Sequence, residues 1–332
     1  MKISVIIPVR NEASSIGELL KSLKNQTRLP AEIVITDTGS TDETVKIVEG
    51  FDAGEFPIHL IRTAHGMPGR GRNLGAARAE NEWLAFIDAG VLPSERWLET
   101  LARPVKDSGT VDIVYGSFEP ITDTLFEECA AIAFVPPPEN VDGNKMRTRS
   151  IASALMRKSV WHDVGGFPED LRSAEDLLFM DKIEAAGFKV AHAPEAKVRW
   201  SIQPTLWKTF SRFVSYSRSN IRAGLWAQWQ GPIFRRYGML LLLAVVALFL
   251  GRDWLPIEWL FVVLLWLVMM LARSVVAIRR NSECYPAGLG RNFARLAWLV
   301  AILVVIDMAA IVGTLQWVFS DRSYSTAARS GT

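Results

Sequence analysis

Cysteine is nearly absent from this sequence: Cys129 and Cys284 are the only two in 332 residues. That excludes a disulfide framework, and no thiolate metal site is indicated. Histidine is equally sparse, and His65, His162 and His192 are scattered without metal-ligand spacing, so they read as structural. An excess of one charge is also missing. Lys and Arg number 37 and Asp and Glu 35, a formal net charge of +2, and no nucleic-acid partner is expected. The start of the chain is not expected to be a signal sequence: its apolar run stops at Pro8, and Arg10 and Glu12 follow with no small-residue cleavage site. That run reads better as a buried first strand.

What the chain does have is long hydrophobic runs: Ile233 to Leu250, Trp254 to Ile278 and Phe293 to Phe319. A helix crosses the hydrocarbon core with about 20 apolar residues, each rising about 1.5 Å. The second and third runs meet this comfortably. The first is the weakest, with a re-entrant or interfacial segment as its alternative. Basic residues mark the cytoplasmic side of short loops. Arg235 and Arg236 precede the uninterrupted part of the first run, Met239 to Leu250, and Arg279, Arg280 and Arg291 separate the second from the third, whereas Arg252 is offset by Asp253 and Glu258. The expectation is an integral protein of the cytoplasmic (inner) membrane, with a catalytic head in the cytoplasm and the C-terminal tail outside.

Between head and runs, Leu206, Trp207, Phe210, Phe213, Val214, Ile221 and Leu225 recur at helical spacing, with Lys208, Arg212, Arg218 and Arg222 between them. The pattern suits a helix in the membrane surface with its cations on phospholipid head groups, or an amphipathic helix packed on the head. The expected organisation is a head over 1–203, an interfacial helix over 204–232, a transmembrane region over 233–320 and a tail over 321–332. Asp307 stands near the middle of the third run. Counting about 1.5 Å per residue puts it roughly 13 Å deeper than Arg273, so a neutral or polar-paired Asp307 is expected. The small residues Ala309, Ala310 and Gly313 suit packing either within one bundle or between chains.

In the head, strands alternate with helices. Ile3 to Pro8, Ile33 to Asp37, Ile58 to Thr63 and Trp83 to Asp88 read as strands, and Glu12 to Leu23 and Asp42 to Glu49 as helices. Alternation predicts a mostly parallel sheet with helices on both faces, an α/β fold. Ligands then bind beyond the carboxyl ends of the strands, in the loops after Pro8, Asp37, Thr63 and Asp88. Ser40 and Glu43 have capping-box spacing, which leaves Asp37 available for a base or ribose.

At this point the residues resemble family 2 glycosyltransferases, which have the GT-A fold. The resemblance is carried in order by Val5 to Glu12, Asp37 to Asp42, Gly71-Arg72-Asn73 with Gly75, Trp83 to Ala89, Gly165-Gly166-Phe167, Ser173 to Asp176 and Ala193 to Ala196. It covers about residues 1 to 200. It implies a nucleotide sugar held by Pro8, Arg10, Glu12, Asp37, Arg72, Asn73 and Asp88, with Gly166 and Glu175 on the acceptor side. Asp88 matches the first acid of the family's Asp-X-Asp element, which faces the diphosphate and its metal. Asp176 matches the catalytic base. The implied reaction is a single displacement that inverts the anomeric carbon. A sugar hydroxyl is a poor nucleophile and needs a carboxylate within hydrogen-bond reach, and the leaving diphosphate needs preorganised cations.

The sequence departs from the family at two points. Its element reads Asp88-Ala89-Gly90, without the second acid, and Trp200 stands near the place of a histidine that is often a metal ligand. A divalent cation, Mg²⁺ or Mn²⁺, is still expected on Asp88 and the diphosphate, since hard cations take one or two carboxylates plus phosphate oxygens. Arg70 and Arg72 are candidates to share the clamping, because guanidinium forks suit phosphate. Ser173 and Asp176 also have capping-box spacing, a structural alternative for Asp176.

Gly69 to Gly75 imitates a dinucleotide fingerprint, but its third glycine falls one residue late and it follows the third strand, which argues against a dehydrogenase. Val198-Arg199-Trp200 lacks the glutamine of the processive synthases' Gln-X-X-Arg-Trp element, so a single addition is expected. Residues 119–150, with Pro136-Pro137-Pro138, suit a lid or acceptor loop contacting a lipid-linked acceptor. The leading expectation is a membrane-bound inverting glycosyltransferase acting on a lipid or lipid-linked saccharide in cell-envelope glycan or glycolipid synthesis. The alternatives are a polyprenyl-phosphate glycosyltransferase and a non-catalytic nucleotide-binding membrane protein.

Overall fold

The computed structural model describes residues 1–147, 149–250 and 255–321. Arg252, Asp253, Trp254 and the tail beyond 321 lie outside them, as does the side chain of Glu258. Packing divides the chain into two units, Met1–Ile121 with Pro138–Ser201, and Thr122–Pro137 with Ile202–Thr332.

The first unit holds β1 (Ile3–Val9), α1 (Ile16–Lys24), β2 (Glu32–Asp37), α2 (Thr44–Glu49), β3 (Ile58–Arg62), α3 (Pro68–Arg78), β4 (Trp83–Phe86), β5 (Val91–Pro93), α4 (Trp97–Ser108) and β6 (Ile113–Ile121). α5 (Leu125–Phe134) belongs to the second unit, and the first resumes with β7 (Glu139–Val141), β8 (Asn144–Met146), β9 (Ala154–Arg157), α6 (Lys158–Asp163), α7 (Glu175–Ala185) and β10 (Val190–Ser201). The main sheet has the order β3-β2-β1-β4-β9-β6-β10-β5. β3, β2, β1 and β4 run parallel, as alternation predicts. β9 enters antiparallel to both β4 and β6, and β5 is antiparallel to β10, so the sheet is mixed.

β1 is apolar apart from Ser4, which donates to Glu32, because helices cover both faces of the parallel part. α1 buries Ile16, Leu19, Leu20 and Leu23, one stripe at helical spacing. It starts at Ile16 rather than Glu12, because the Glu12 carbonyl first accepts from the Ser15 and Ile16 amides in a turn. α2 starts at Thr44, and the expected capping box is absent. Ser40 Oγ is already taken by the Asn11 amide at 2.9 Å, and Asp42 accepts from the Thr44 amide instead. Val198-Arg199-Trp200 lies inside β10, paired with β5.

The second unit continues with α8 (Leu206–Arg222), α9 (Trp226–Trp229), α10 (Gly231–Leu250), α11 (Leu255–Arg280) and α12 (Leu289–Gln316), followed by a π-helical turn, Trp317–Asp321. Among the described residues two helical stretches are long and apolar enough to cross a membrane, Leu260–Arg280 and Leu289–Ser320. α5 opens with a complete capping box between Thr124 and Glu127. It is tied to α12 by the buried Glu128, whose Oε1 receives Arg295 Nε at 2.5 Å while Arg291 holds Oε2. Both cysteines are free.

Ala310 and Gly313 pack within the chain. The Ser217 hydroxyl of α8 donates to the Ala310 carbonyl at 2.9 Å, and a side chain on Gly313 would meet the Val214 carbonyl at 2.6 Å. Asp307 is ion-paired rather than held by neutral polar groups alone. Arg273 holds it with two bonds, 2.5 and 3.1 Å, and Arg236 and Tyr237 reach the same carboxylate. Residue counting failed because it started both helices at one level, whereas the first turns of α12 are spent on α5.

Candidate functional site

The site forms at the carboxyl ends of β1, β2 and β4, where the strand order places β1 between the other two. β4 ends at Phe86, and Asp88 follows it out of the sheet. α3 lies against β1 so closely that a side chain on Gly75 would meet Ile6 Cγ2 at 2.7 Å. Gly71, against Pro8, and Gly75 serve this helix–sheet packing, and Arg72 between them reaches Asp88.

Arg72 is the centre of the arrangement, with only 5% of its side chain exposed. Its Nη2 donates to Asp88 Oδ1 at 2.7 Å and its Nη1 to Glu175 Oε1 at 2.6 Å. The Phe167 ring lies 5.5 Å from the guanidinium carbon. Burial opposes the charge on Arg72, but Asp88, Glu175 and Asp176 outweigh it and hold the guanidinium charged. Glu175 is 4% exposed, and burial pushes its pKa above the usual carboxylate range despite Arg72. Burial raises Asp176 likewise, against the pull of Arg72 and with Asp88 adding repulsion. Three carboxylates therefore share one guanidinium.

Asp176 opens α7 without capping it. Ala174 takes the N-cap position at φ +70°, Ser173 makes no capping bond, and Asp176 Oδ1 accepts the neighbouring Leu177 amide at 2.9 Å. The capping-box alternative for Asp176 is thereby removed.

The nucleotide-side residues divide. Pro8 lies at the end of β1 and Arg10 is exposed beyond it. Glu12 is fixed by its amide to Thr44 Oγ1 at 2.7 Å and by Ser15 Oγ, which donates to Oε2 at 2.6 Å. Asp37 is 3% exposed and accepts from the Gly39 and Ser40 amides at 3.2 to 3.3 Å, so it shapes the turn as well as closing β2. Asn73 does something the sequence did not suggest. Its Oδ1 accepts from Trp161 Nε1 and the Phe167 amide, and its Nδ2 donates to the Phe167 carbonyl and Glu169, which leaves nothing for a nucleotide. Gly166, at φ +69°, sits against it, and a side chain there would meet Asn73 Oδ1 at 2.7 Å. The two hold the end of α6 and the loop that follows it to Glu169 beside Arg72. Arg70 reaches Glu169 at 3.5 Å and stays half exposed.

The Arg72–Glu175 pair had no sequence signal beyond two matching motifs. Glu32, His59 and Glu80 also bring three ligand atoms within 4.8 Å. They lie at the opposite, amino-terminal edge of the strands, and Arg78 donates to His59 Nδ1 at 3.4 Å. His59 Nε2 lies 3.4 Å from Glu32 Oε2, while Glu32 Oε1 accepts from Ser4 Oγ, the Glu80 amide and Asn81 Nδ2.

Residues 4–165 match the family described as Glycosyl transferase family 2. The glycosyltransferase AglE of Haloferax volcanii is 29% identical over 197 residues, 58% of this chain and 64% of AglE. The O-antigen chain rhamnosyltransferase RfbN of Salmonella typhimurium is 28% identical over 64% of this chain and 70% of its own. The poly(ribitol-phosphate) beta-N-acetylglucosaminyltransferase TarS of Staphylococcus aureus is 29% identical over 55% of this chain, which spans only 32% of TarS. The crystal structure of TarS 1-349 in complex with UDP-GlcNAc superimposes with a TM-score of 0.51 at 20% identity, covering 93% of this chain and 90% of that one, and shares its fold.

Proposed function

We propose that this chain, whose residues 4–165 match glycosyl transferase family 2, is a membrane-bound inverting glycosyltransferase. It moves a sugar from a nucleotide diphosphate sugar to a lipid or lipid-linked saccharide, in cell-envelope glycan or glycolipid synthesis. The observation that carries this reading is the cluster at the strand ends, in which Arg72 joins Asp88 to Glu175 and Asp176 stands beside them.

Asp176 takes the proton of the acceptor hydroxyl as its oxygen attacks the anomeric carbon from the face opposite the diphosphate, which inverts the configuration. A carboxylate raised by burial is a stronger base than one in water, which suits that step. Glu175 fixes Arg72, and Arg72 orients Asp88 toward the diphosphate. Asp37 and Glu12 line the nucleotide side, and the TarS complex with UDP-GlcNAc supports a nucleotide sugar as donor class.

The residues fit a hard cation. Asp88 Oδ2 is engaged by no side chain among the described residues, and one guanidinium does not neutralise three carboxylates plus an incoming diphosphate. Mg²⁺ or Mn²⁺ on Asp88 would supply charge stabilisation for the leaving diphosphate. Gly90 provides no ligand. A side chain there would begin 3.9 Å from Glu12 Oε2, which brings the Glu12 carboxylate close to the missing position.

Support for the membrane comes from apolar surface. Leu241, Leu242 and Phe249 on α10 and Leu260, Phe261 and Val276 on α11 are each more than 60% exposed, a patch that lipid would cover. Trp226 and Trp229, half exposed before α10, suit an interfacial belt, and Arg279 and Arg280 suit the cytoplasmic side. Polar groups on α8, Thr209 and Ser217, are buried while Trp207 is 72% exposed, as a helix in the membrane surface would present it.

The test is transfer from a panel of labelled nucleotide sugars into membrane lipid extract, with Asp176→Asn beside the intact protein. One donor active with the intact chain and silent with the variant is the expected result. A polymer product contradicts single addition, and transfer undiminished in Asp176→Asn overturns the assignment of the base.

A further inference from the structure

Arg236 on α10 and Arg273 on α11 converge on one carboxylate, Asp307 of α12. The acid is spent almost entirely on Arg273, at 2.5 and 3.1 Å, while Arg236 reaches it only at 3.5 Å. Tyr237 adds a hydroxyl at 3.1 Å and no charge. Among the described residues the group is therefore one positive charge in excess, set among apolar helices. Asp307 is sealed at 1% exposure, but Arg236 and Arg273 keep 30% and 22% of their side chains open. Arg236 Nε is buried and has no hydrogen-bond partner among the described residues.

An orphaned guanidinium N–H beside an unneutralised charge is costly in an apolar setting, and its natural complement is an anion that accepts more than one hydrogen bond. The level of the cluster selects which anion. Arg236 comes seven residues after the exposed Trp229 and Arg273 six before Arg279. At about 1.5 Å per residue both lie roughly 10 Å inside the boundary those residues mark, within reach of long side chains directed back toward it.

We propose that Arg236, supported by Arg273, is a binding site for the phosphate of a lipid at the cytoplasmic membrane face. The inference rests on the membrane reading above. A phosphate there neutralises the excess charge and satisfies Arg236 Nε, while Asp307 holds Arg273 in place beneath it. Two lipids offer this chemistry, a phospholipid head group and the diphosphate of a polyprenyl-linked saccharide. The second would place the acceptor on the same chain that carries the transferase domain.

The test is native mass spectrometry of the full chain released from mixed micelles that contain phosphatidylglycerol, a polyprenyl diphosphate or the uncharged diacylglycerol. Flotation with vesicles is run in parallel. The intact protein should retain a phosphate-bearing lipid and no diacylglycerol. Arg236→Gln should still float but retain the lipid about tenfold less, the effect of losing a hydrogen bond between charged groups. Arg235→Gln, one residue away and exposed, should retain it unchanged. Should Arg236→Gln not fold, Arg236→Lys keeps the charge, lacks the Nε donor and must still weaken retention. Preference for the polyprenyl diphosphate assigns the site to the acceptor, and equal retention assigns it to the head group. Undiminished retention in the folded Arg236 variants, or an equal loss in Arg235→Gln, overturns the site while leaving the membrane reading intact. Failure of the intact protein to float overturns both.

Discussion

Arg72 and Glu175, 103 residues apart in the chain, form an ion pair of 2.6 Å in which each side chain is only 5% exposed. The pair joins α3, which follows the third strand, to the first turn of α7, which carries Asp176. The Asp88 side and the Asp176 side of the cluster thus share one buried contact.

Removing one partner of such a pair leaves a buried charge with no counter-ion. Arg72→Ala is expected to cost about 3–5 kcal/mol of stability. Transfer should be lost with it, since Asp88 loses its orientation. Arg72→Lys keeps the charge but lacks the two-pronged geometry, and should recover stability more than activity. Thermal melts and transfer assays on both variants check this, and a melt of Arg72→Ala equal to that of the intact protein contradicts it.

The pH profile should report the raised Asp176 carboxyl. Burial raises its pKa, and the base works only when ionised. The rate should therefore fall as pH falls through that raised value, at higher pH than the about 3.9 of an unperturbed aspartate. The sign for stability is the reverse. The folded chain holds this proton more tightly than the unfolded one, so ionising Asp176 removes stability as pH rises between the two values. Asp176→Asn should abolish transfer and melt no lower than the intact protein at neutral pH. A rate flat down to pH 4 would contradict the assignment.

The parallel half of the sheet was legible because its signal is local. Ile3 to Val9 is an apolar run ended by a loop, and Ile16, Leu19, Leu20 and Leu23 keep one helical stripe. β9 and β5 are short and carry no period of their own, so their antiparallel insertion was not legible. Asp88 and Asp176 could be located by motif, whereas Asn73 was set with the nucleotide because a motif does not say that four protein partners will saturate the amide. The stagger of α12 was invisible for a similar reason. It depends on Glu128, more than 160 positions from Arg291 and Arg295.

That same glutamate makes a second stability test. Burial works against ionising Glu128, yet the hydrogen bonds from Arg291 and Arg295 hold its pKa below the usual range. Its contribution is present above the unfolded-state pKa and is lost as pH falls through the lowered one. Glu128→Ala strands the 2% exposed Arg295 and should cost about 3 kcal/mol or more. Glu128→Leu combined with Arg295→Met should recover most of the loss, because packing replaces a pair whose desolvation is expensive. A double variant as unstable as Glu128→Ala would show that the pair itself is required.

Chelation should reduce transfer by at least about tenfold, and Mn²⁺ or Mg²⁺ should restore it. The argument is one of charge: Arg72 already faces three carboxylates before a diphosphate arrives. Transfer unchanged by chelator would return the clamping role to arginine alone.

Asp307 separates two accounts of the helical unit. Were it protonated and polar-paired, Asp307→Asn would change nothing. The structure gives it Arg273 at 2.5 Å and a second guanidinium at 3.5 Å, so the asparagine leaves both arginines uncompensated among apolar helices. The expected cost is about 3 kcal/mol or more, read as a lower melting temperature in detergent and poorer extraction of folded protein. Exchanging the pair, with Asp307→Arg and Arg273→Asp together, keeps the attraction and should recover part of the loss that either single change causes. An unaffected Asp307→Asn would mean that the carboxyl carries its own proton, and the excess positive charge at Arg236 would then be larger still.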